Sequence, residues 1–256
     1  MSKATQSPVK FVESLELGTP AKAIERVAIA KTRGGTEATV SASAESYISN
    51  KSIVSFASTV STQSRQDILS STLLAQLAAD KKFPEEEQLK EWFKSYQETL
   101  KNLGWIVQGK DFSKFTAKGS VFEMESVVVD ILTAALGGAA ITIIKTALEA
   151  FKKLSNTDSK IIAFEKNTHS LTKGTFMIAV CDESNDAISM KTGAFMLSSE
   201  NSITQILFFK SSKEKTQLDY ATTDSTFNKK SYDVVRAAVE KKLGDKFSKY
   251  VAEIEI

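Results

Sequence analysis

Four short runs rich in apolar residues decide the fold: GTFMIAVC at residues 174–181, AISMKTGAFMLSS at 187–199, SITQILFFKSS at 202–212 and KTQLDYATT at 215–223. The segments between them, ESND, SEN and SSKE, have the composition of turns. Links this short cannot hold crossover helices, so the runs predict an antiparallel meander. The expected strands lie near residues 175–181, 187–198, 203–211 and 215–223.

The preceding residues, 11–155, are predicted to be mainly helical, because apolar side chains recur there at helical spacing. Helices are expected over residues 19–32, 63–81 and 85–103. Residues 36–62 fit short helices or strands equally well. The stretch 105–125 resembles a hairpin, with Gly109 and Gly119 as turn residues.

The C-terminal run SYDVVRAAVEKKLG, residues 231–244, predicts a final amphipathic helix with Tyr232, Val235, Val239 and Leu243 on one face. We therefore expect an α+β fold, in which a helix-rich N-terminal part packs on a C-terminal antiparallel β-meander that carries this helix. One compact domain is expected over residues 1–256. Its parts are a flexible arm at 1–10, a mainly helical part at 11–155 and mainly antiparallel sheet plus the C-terminal helix at 156–256.

The most apolar segment runs from Val127 to Ile144 and carries one charge, Asp130. Its length permits a membrane span. The pair Gly137-Gly138 and two threonines interrupt it, which favours a buried helix or a kinked helix pair. On that hypothesis, leucine in place of Gly137 or Ala140 would overpack the core and destabilise the fold by about 1–3 kcal/mol.

Composition narrows the possible functions. The 256 residues include 33 Lys plus Arg and 31 Asp plus Glu, a formal net charge of +2, with one Cys and one His. One Cys excludes an intramolecular disulfide and a Cys-based metal cluster, and one His excludes a multi-His metal site. Scattered lysines with only four arginines give a weak signal for nucleic acid, so no nucleic-acid partner is expected. No nucleotide-binding, metalloprotease or serine-hydrolase motif is present, and no catalytic residue or metal ligand is assigned.

Cys181 and His169 are the two residues considered as candidates for a chemical role. A Cys181–His169 pair is conceivable, but a His that anchors a loop is the simpler interpretation. In strand geometry Met177, Ala179 and Cys181 share one face, and both faces of the run are apolar. A buried free Cys that packs as a small hydrophobe explains this pattern from the residues alone.

Several blocks of the sequence resemble the Erwinia virulence factor family, Evf: SAESYISNKSIVSF, ILSSTLLAQLAADKKF, LGWIVQGKDFSKF, THSLTKGTFMIAVC and MKTGAFMLSS. The resemblance extends from about Phe11 to Leu243. It implies an α+β bacterial protein linked to persistence in the insect gut, with a buried palmitoyl thioester on a Cys in the last third of the chain. Cys181 is the one candidate for that attachment, and covalent palmitate is the only group implied, with no other cofactor.

A palmitoyl chain at Cys181 needs an apolar enclosure, since each methylene gains about 0.8 kcal/mol on leaving water. The small residues of the apolar segment leave room for such a chain. The expected lining consists of Leu136, Gly137, Ala140, Ile141, Ile144, Met177 and Ala179.

The expected function is that of a non-enzymatic virulence or host-gut colonisation factor that is palmitoylated and able to associate with a membrane surface; its host partner is unknown. Two alternatives stay open: a pore-forming or insecticidal toxin, and an acyl-transfer enzyme that uses Cys181. No classical signal peptide is visible in MSKATQSPVK or after it. We therefore expect synthesis in the bacterial cytoplasm, with membrane association or export by an unknown route.

Overall fold

The computed structural model of the chain describes residues 7–24, 44–109, 111–116, 119–184 and 187–254. Helices and a multi-stranded sheet are both prominent in these residues, so the predicted α+β class is confirmed. The sheet is the centre of the architecture. Helices pack on both of its faces and divide the apolar interior into two layers.

Nine α-helices are found in the described residues. They are α1 (Pro8–Ser14), α2 (Thr62–Lys82), α3 (Leu89–Asn102), α4 (Met124–Leu136), α5 (Gly138–Lys153), α6 (Ser159–Thr168), α7 (Lys229–Asp233), α8 (Arg236–Leu243) and α9 (Lys246–Tyr250). Helices α2 and α3 confirm two of the predicted helices to within a few residues. The pair α4 and α5 confirms the kinked pair, because Gly137 adopts a φ of 80° between them and ends the first helix.

The strands are β1 (Glu45–Ser49), β2 (Ser52–Phe56), β3 (Trp105–Gly109), β4 (Ser113–Lys114), β5 (Val121–Glu123), β6 (Lys173–Ser184), β7 (Ala187–Ser199), β8 (Lys210–Ser212), β9 (Thr216–Phe227) and β10 (Val251–Ile254). The main sheet has the order β10-β1-β2-β6-β7-β9-β3, and β4 also pairs with β9. Strands β5 and β8 form a separate small sheet.

The predicted meander is correct for three of its four runs. Strands β6, β7 and β9 pair antiparallel along their length. The prediction of a strand over 203–211 is wrong. Residues 203–209 form an irregular segment, and only β8 follows it, in the small sheet. The physical reason is that this segment buries Ile203, Ile206, Leu207 and Phe209 in one core, instead of alternating between two faces.

The N-terminal half contributes more strand than its helical spacing suggested. The open segment around residues 44–56 forms the hairpin β1–β2, which turns at Asn50 with a φ of 52°. Asn tolerates this left-handed conformation better than most residues. Strand β2 then pairs parallel with β6, so the sheet is not purely antiparallel. The hairpin predicted at 105–125 is wrong, because β3 and β4 pair with β9 and β5 pairs with β8.

The two ends of the chain also differ from the predictions. Residues 7–10 are not an arm, since Pro8 opens α1 behind the cap Ser7. No helix begins at Thr19-Pro20, and the rest of that predicted helix, residues 25–32, lies outside the described residues. The final amphipathic helix is two short helices, α7 and α8, followed by α9 and β10. Its predicted face is confirmed, because Tyr232, Val235, Val239 and Leu243 are all buried in one core.

The two cores lie on opposite faces of the sheet. One, the α2/α3 core, contains apolar residues of α2, α3 and α8 together with Met177, Ala179 and Cys181 of β6. The other, the α4/α5 core, contains residues of α4, α5 and α6 together with Phe176, Ile178 and Val180. Alternate residues of β6 therefore supply both cores, as expected for a strand covered on both faces.

Candidate functional site

Cys181 lies near the end of β6, inside the main sheet. It is opposite Phe56 of β2 and Met190 of β7 in the strand register. Its exposed fraction is 0%, and α2 and α3 cover its face of the sheet. The prediction that Cys181 is buried, on a strand covered on both faces, is therefore confirmed.

The surroundings of Cys181 suppress its reactivity. Burial, and secondarily the charge of Asp182, raise the pKa of the thiol well above its usual range. Burial likewise raises the pKa of the nearby Tyr96 hydroxyl. The thiolate is the nucleophilic form, so the thiol is inert while the core is closed. Any acyl transfer to Cys181 must therefore happen before the α2/α3 core closes, or while it is open.

The predicted lining of the acyl chain is divided between the two cores. Met177 and Ala179 share the face of Cys181. Leu136, Ile141 and Ile144 lie in the α4/α5 core, across the sheet from the sulfur. Gly137 is exposed and Ala140 half-buried at the outer end of the helix pair. These five residues of the segment 136–144 therefore do not surround Cys181, and the α4–α5 pair does not enclose a chain attached there.

Two hydroxyl groups that the sequence analysis missed lie on the same side of the sheet as Cys181. Ser225 of β9 is opposite Met190, and Thr192 follows two residues after Met190 on β7. Both side chains are buried on the α2/α3 side of the sheet, and neither hydroxyl has a hydrogen-bond partner. A buried hydroxyl without a partner is costly, so these two are candidates to donate to an oxygen that enters this core. For Ser225 the missed signal was the length of β9, which continues four residues beyond the predicted strand end at residue 223. Thr192 lies within the predicted strand 187–198, on the same face as Met190.

The tip of the helix pair α4–α5 is the second notable surface. No charged residue lies between Asp130 and Lys145. One face of the pair is buried, but Thr133, Ala134, Ala135, Gly137, Gly138, Ala139 and Thr142 are exposed. A Cβ atom added at Gly137 or Gly138 would meet no atom within 4 Å. The prediction that this segment is buried throughout, and that leucine at Gly137 would overpack it, is therefore wrong: its tip projects into open space.

His169 is not brought to Cys181. It forms an isolated β-bridge with Gly174, and seven residues of strand, about 23 Å, separate Gly174 from Cys181. Its Nε2 lies 2.9 Å from Oε2 of Glu165, and its Nδ1 lies 2.7 Å from the carbonyl oxygen of Ser170. The same Oε2 accepts a hydrogen bond from the backbone N–H of Ile206. His169 thus orients Glu165, which holds the irregular segment 203–209.

The described parts of the chain hold neither a cluster of metal ligands nor a membrane-spanning helix. They contain no group of three or more His, Cys, Asp or Glu side chains placed to hold a metal ion. None of the helices there has both the length and the apolar character needed to cross a membrane.

Comparison with known proteins gives likeness in backbone fold. No protein-family model matches the chain, and no curated protein matches it in sequence. A solved structure named delta-endotoxin is similar with a TM-score of 0.43 and 12% identity, covering 79% of this chain and 90% of that one. The Evf virulence factor gives 0.35 and 14%, covering 79% and 82%. The activated Cyt2Ba monomer from Bacillus thuringiensis subsp. israelensis gives 0.26 and 13%, covering 53% and 79%. Likenesses at this level concern the backbone fold alone.

Proposed function

We propose that this protein is a non-enzymatic virulence or host-gut colonisation factor that binds lipid membranes through the α4–α5 tip and carries palmitate on Cys181. The observation that carries the proposal is the exposed tip, which has no charge from residue 131 to residue 144. Charged side chains are costly to bring into a bilayer, whereas small uncharged ones are not. The tip is therefore a surface that can approach lipid without bringing a charge into it.

The acyl group is supported by the resemblance to the Evf family and by the position of Cys181. Transfer from a thioester donor such as an acyl-coenzyme A would form the bond between Sγ and the acyl carbon as the donor's carbon–sulfur bond breaks. The thiol proton would pass to the leaving thiolate. The thioester carbonyl would then lie in the α2/α3 core, where the hydroxyls of Thr192 and Ser225 lack partners. This core, and not the α4–α5 pair, would have to accommodate the chain.

Intact mass tests the acyl group. Protein purified from a bacterial host able to acylate it should be heavier than the bare sequence by one palmitoyl group, and neutral hydroxylamine should remove that mass. Cys181→Ser should prevent the addition. An unmodified mass in such a host would return Cys181 to the role of an ordinary core residue.

Vesicle binding tests the tip. Gly138→Asp and Ala139→Lys each place one charge of opposite sign on the exposed surface, and both should weaken co-sedimentation with phospholipid vesicles. Lys153→Glu, at the exposed far end of α5, is the matched control and should have less effect. The two tip variants introduce charges of opposite sign. Equal losses of vesicle binding would indicate that the tip excludes charge of either sign, as proposed. Stronger binding by Ala139→Lys and weaker binding by Gly138→Asp would indicate simple attraction to an anionic surface and would contradict the proposal.

A pore-forming toxin is the second candidate. It is favoured by the apolar inner face of the α4–α5 pair, which movement of the pair away from the sheet would expose to lipid. Release of a dye trapped in vesicles at protein concentrations that saturate binding would support the toxin. Saturated binding without release would support the non-lytic factor.

A further inference from the structure

A cleft of about 680 Å³ lies between the C-terminal end of α4 and the strands β3, β4, β7 and β9. One wall is apolar and is formed by Ile131, Ala134, Ala135 and Leu136. The floor and the opposite rim are polar and include Lys191, Thr222, Tyr220, Asp224 and Asp111. The cleft opens beside the exposed α4–α5 tip, because Leu136 is the last residue of α4.

The charged groups of this cleft have no partners in the protein. Within the described residues, no carboxylate pairs with Lys191, and neither Asp111 nor Asp224 pairs with a cation. Two other half-buried lysines do have a carboxylate partner: Lys51 lies 2.7 Å from Asp80, and Lys173 lies 2.6 Å from Glu87. The cleft thus presents one unpaired ammonium group and two unpaired carboxylates to a ligand.

The strand register spaces these groups along the cleft. Lys191 is opposite Asp224, Gly193 is opposite Thr222, and Phe195 is opposite Tyr220. Successive pairs on one face of a sheet are about 7 Å apart. The ammonium group and the Thr222 hydroxyl therefore lie toward one end, and the Tyr220 ring lies toward the other.

Asp111 completes the second end. It lies two residues before Ser113, which is opposite Tyr220 in the register. An aromatic face and a carboxylate together favour a quaternary or primary ammonium group. A lysine and a hydroxyl favour a phosphate. Asp224 beside Lys191 disfavours a simple anion, so the cleft suits a ligand that brings a positive charge together with its negative one.

We propose that this cleft binds a phosphate–ammonium zwitterion, the chemistry of a phosphocholine or phosphoethanolamine headgroup. The phosphate meets Lys191 and Thr222, and the ammonium group meets Tyr220 and Asp111. The apolar wall of α4 then lies where the chains of a phospholipid would leave the headgroup, toward the α4–α5 tip. The inference rests on the proposed membrane function, for which it names the lipid class.

Titration with soluble phosphocholine, followed by the NMR shifts of the protein, tests the cleft without a membrane. Lys191→Gln and Asp111→Asn should each weaken binding at least tenfold. Lys241→Gln, an exposed lysine on α8, is the control and should bind as the wild type does. Tyr220→Phe should retain binding and Tyr220→Leu should lose it, since the ring and not the hydroxyl meets the cation. Equal binding of inorganic phosphate and phosphocholine, or unchanged binding by Lys191→Gln and Asp111→Asn, would overturn the proposal.

Binding to vesicles shows whether the cleft recognises the headgroup of a membrane lipid or only a soluble phosphate–ammonium compound. Phosphatidylcholine vesicles should bind more tightly than phosphatidylglycerol vesicles, and Lys191→Gln should remove the preference. Binding of soluble phosphocholine with no preference between the vesicles would overturn the assignment to a lipid. The proposals for the tip and for the cleft can fail separately. A tip variant that no longer binds vesicles but still binds soluble phosphocholine would support the cleft as a headgroup site. If Lys191→Gln changes neither the vesicle preference nor phosphocholine binding, the cleft proposal is contradicted and the proposal that the tip binds membranes is unaffected.

Discussion

Arg236 of α8 donates two hydrogen bonds to Asp67 of α2, from Nε to Oδ1 at 2.8 Å and from Nη2 to Oδ2 at 2.7 Å. The carboxylate is buried, with 3% of its side chain exposed, while the guanidinium is 29% exposed. Two parallel hydrogen bonds between a guanidinium and a carboxylate fix both the distance between the two groups and their relative orientation. The pair joins residues that are 169 positions apart and holds the C-terminal helices on the α2/α3 core.

Asp67→Asn should therefore destabilise the fold by about 2–3 kcal/mol, because it removes the buried negative charge and replaces one acceptor oxygen with an NH2 group that faces the guanidinium donor. Asp233 also pairs with Arg236, at 2.6 Å, but it is 54% exposed. Asp233→Asn is the control and should cost less than about 1 kcal/mol. Urea unfolding followed by circular dichroism measures both. Equal costs for the two variants would show that Asp67 does not anchor α8.

His169 should make stability depend on pH. Burial opposes its charged form, but hydrogen bonds to Glu165 and Ser170 outweigh burial, and the pKa is raised above its ordinary value of 6.5. The charged ring is therefore bound more favourably in the folded protein. Its contribution is fully present below pH 6.5 and is lost as pH rises through the raised pKa.

The test is the free energy of unfolding from pH 5.5 to pH 9. The wild type should lose stability over this range, and His169→Gln should lose less, because glutamine does not titrate. Glu165→Gln should flatten the profile in the same way and also loosen residues 203–209, since Glu165 holds the N–H of Ile206. A wild-type profile no steeper than that of His169→Gln would contradict a raised pKa.

The α4–α5 pair should tolerate changes at its tip and not at its inner face. Ala139→Leu should shift the free energy of unfolding by less than about 0.5 kcal/mol, because residue 139 is exposed. Ile144→Ala should cost about 2–5 kcal/mol, because Ile144 is fully buried in the α4/α5 core. Thermal or urea unfolding compares the two. A large cost for Ala139→Leu would mean that the tip is covered in solution.

The sequence predicts best those elements in which apolar residues recur over many consecutive turns or strand positions. Helix α2 and strands β6 and β7 belong to this group, and most of the residues in each of them are buried. The segment 203–209 was misjudged because four apolar residues face a single core, and a pattern of residues does not tell a strand from an irregular covering segment.

The candidate site was predictable in position but not in surroundings. The alternation along β6 placed Cys181 and Ala179 on one face correctly. No pattern within the chain could show that α4 and α5 pack on the other face, because that depends on pairing between distant strands. Lys191 and Tyr220 were likewise not recognised as neighbours, since the cleft exists only after β7 and β9 pair.

A thioester on Cys181 should react slowly with hydroxylamine while the protein is folded. The exposed fraction of Cys181 is 0%, so hydroxylamine reaches the acyl group only when α2 and α3 separate from the sheet. Removal of the acyl mass should therefore be much slower in native buffer than in urea. Destabilising variants such as Asp67→Asn should accelerate the reaction in native buffer, and the logarithm of the rate should rise with the free energy of unfolding that is lost. Ile144→Ala, which weakens the opposite core, distinguishes local from global opening: if it accelerates release as much as Asp67→Asn does, the whole fold must open. Native and denatured rates that are equal would place the thioester outside the α2/α3 core and contradict the buried attachment.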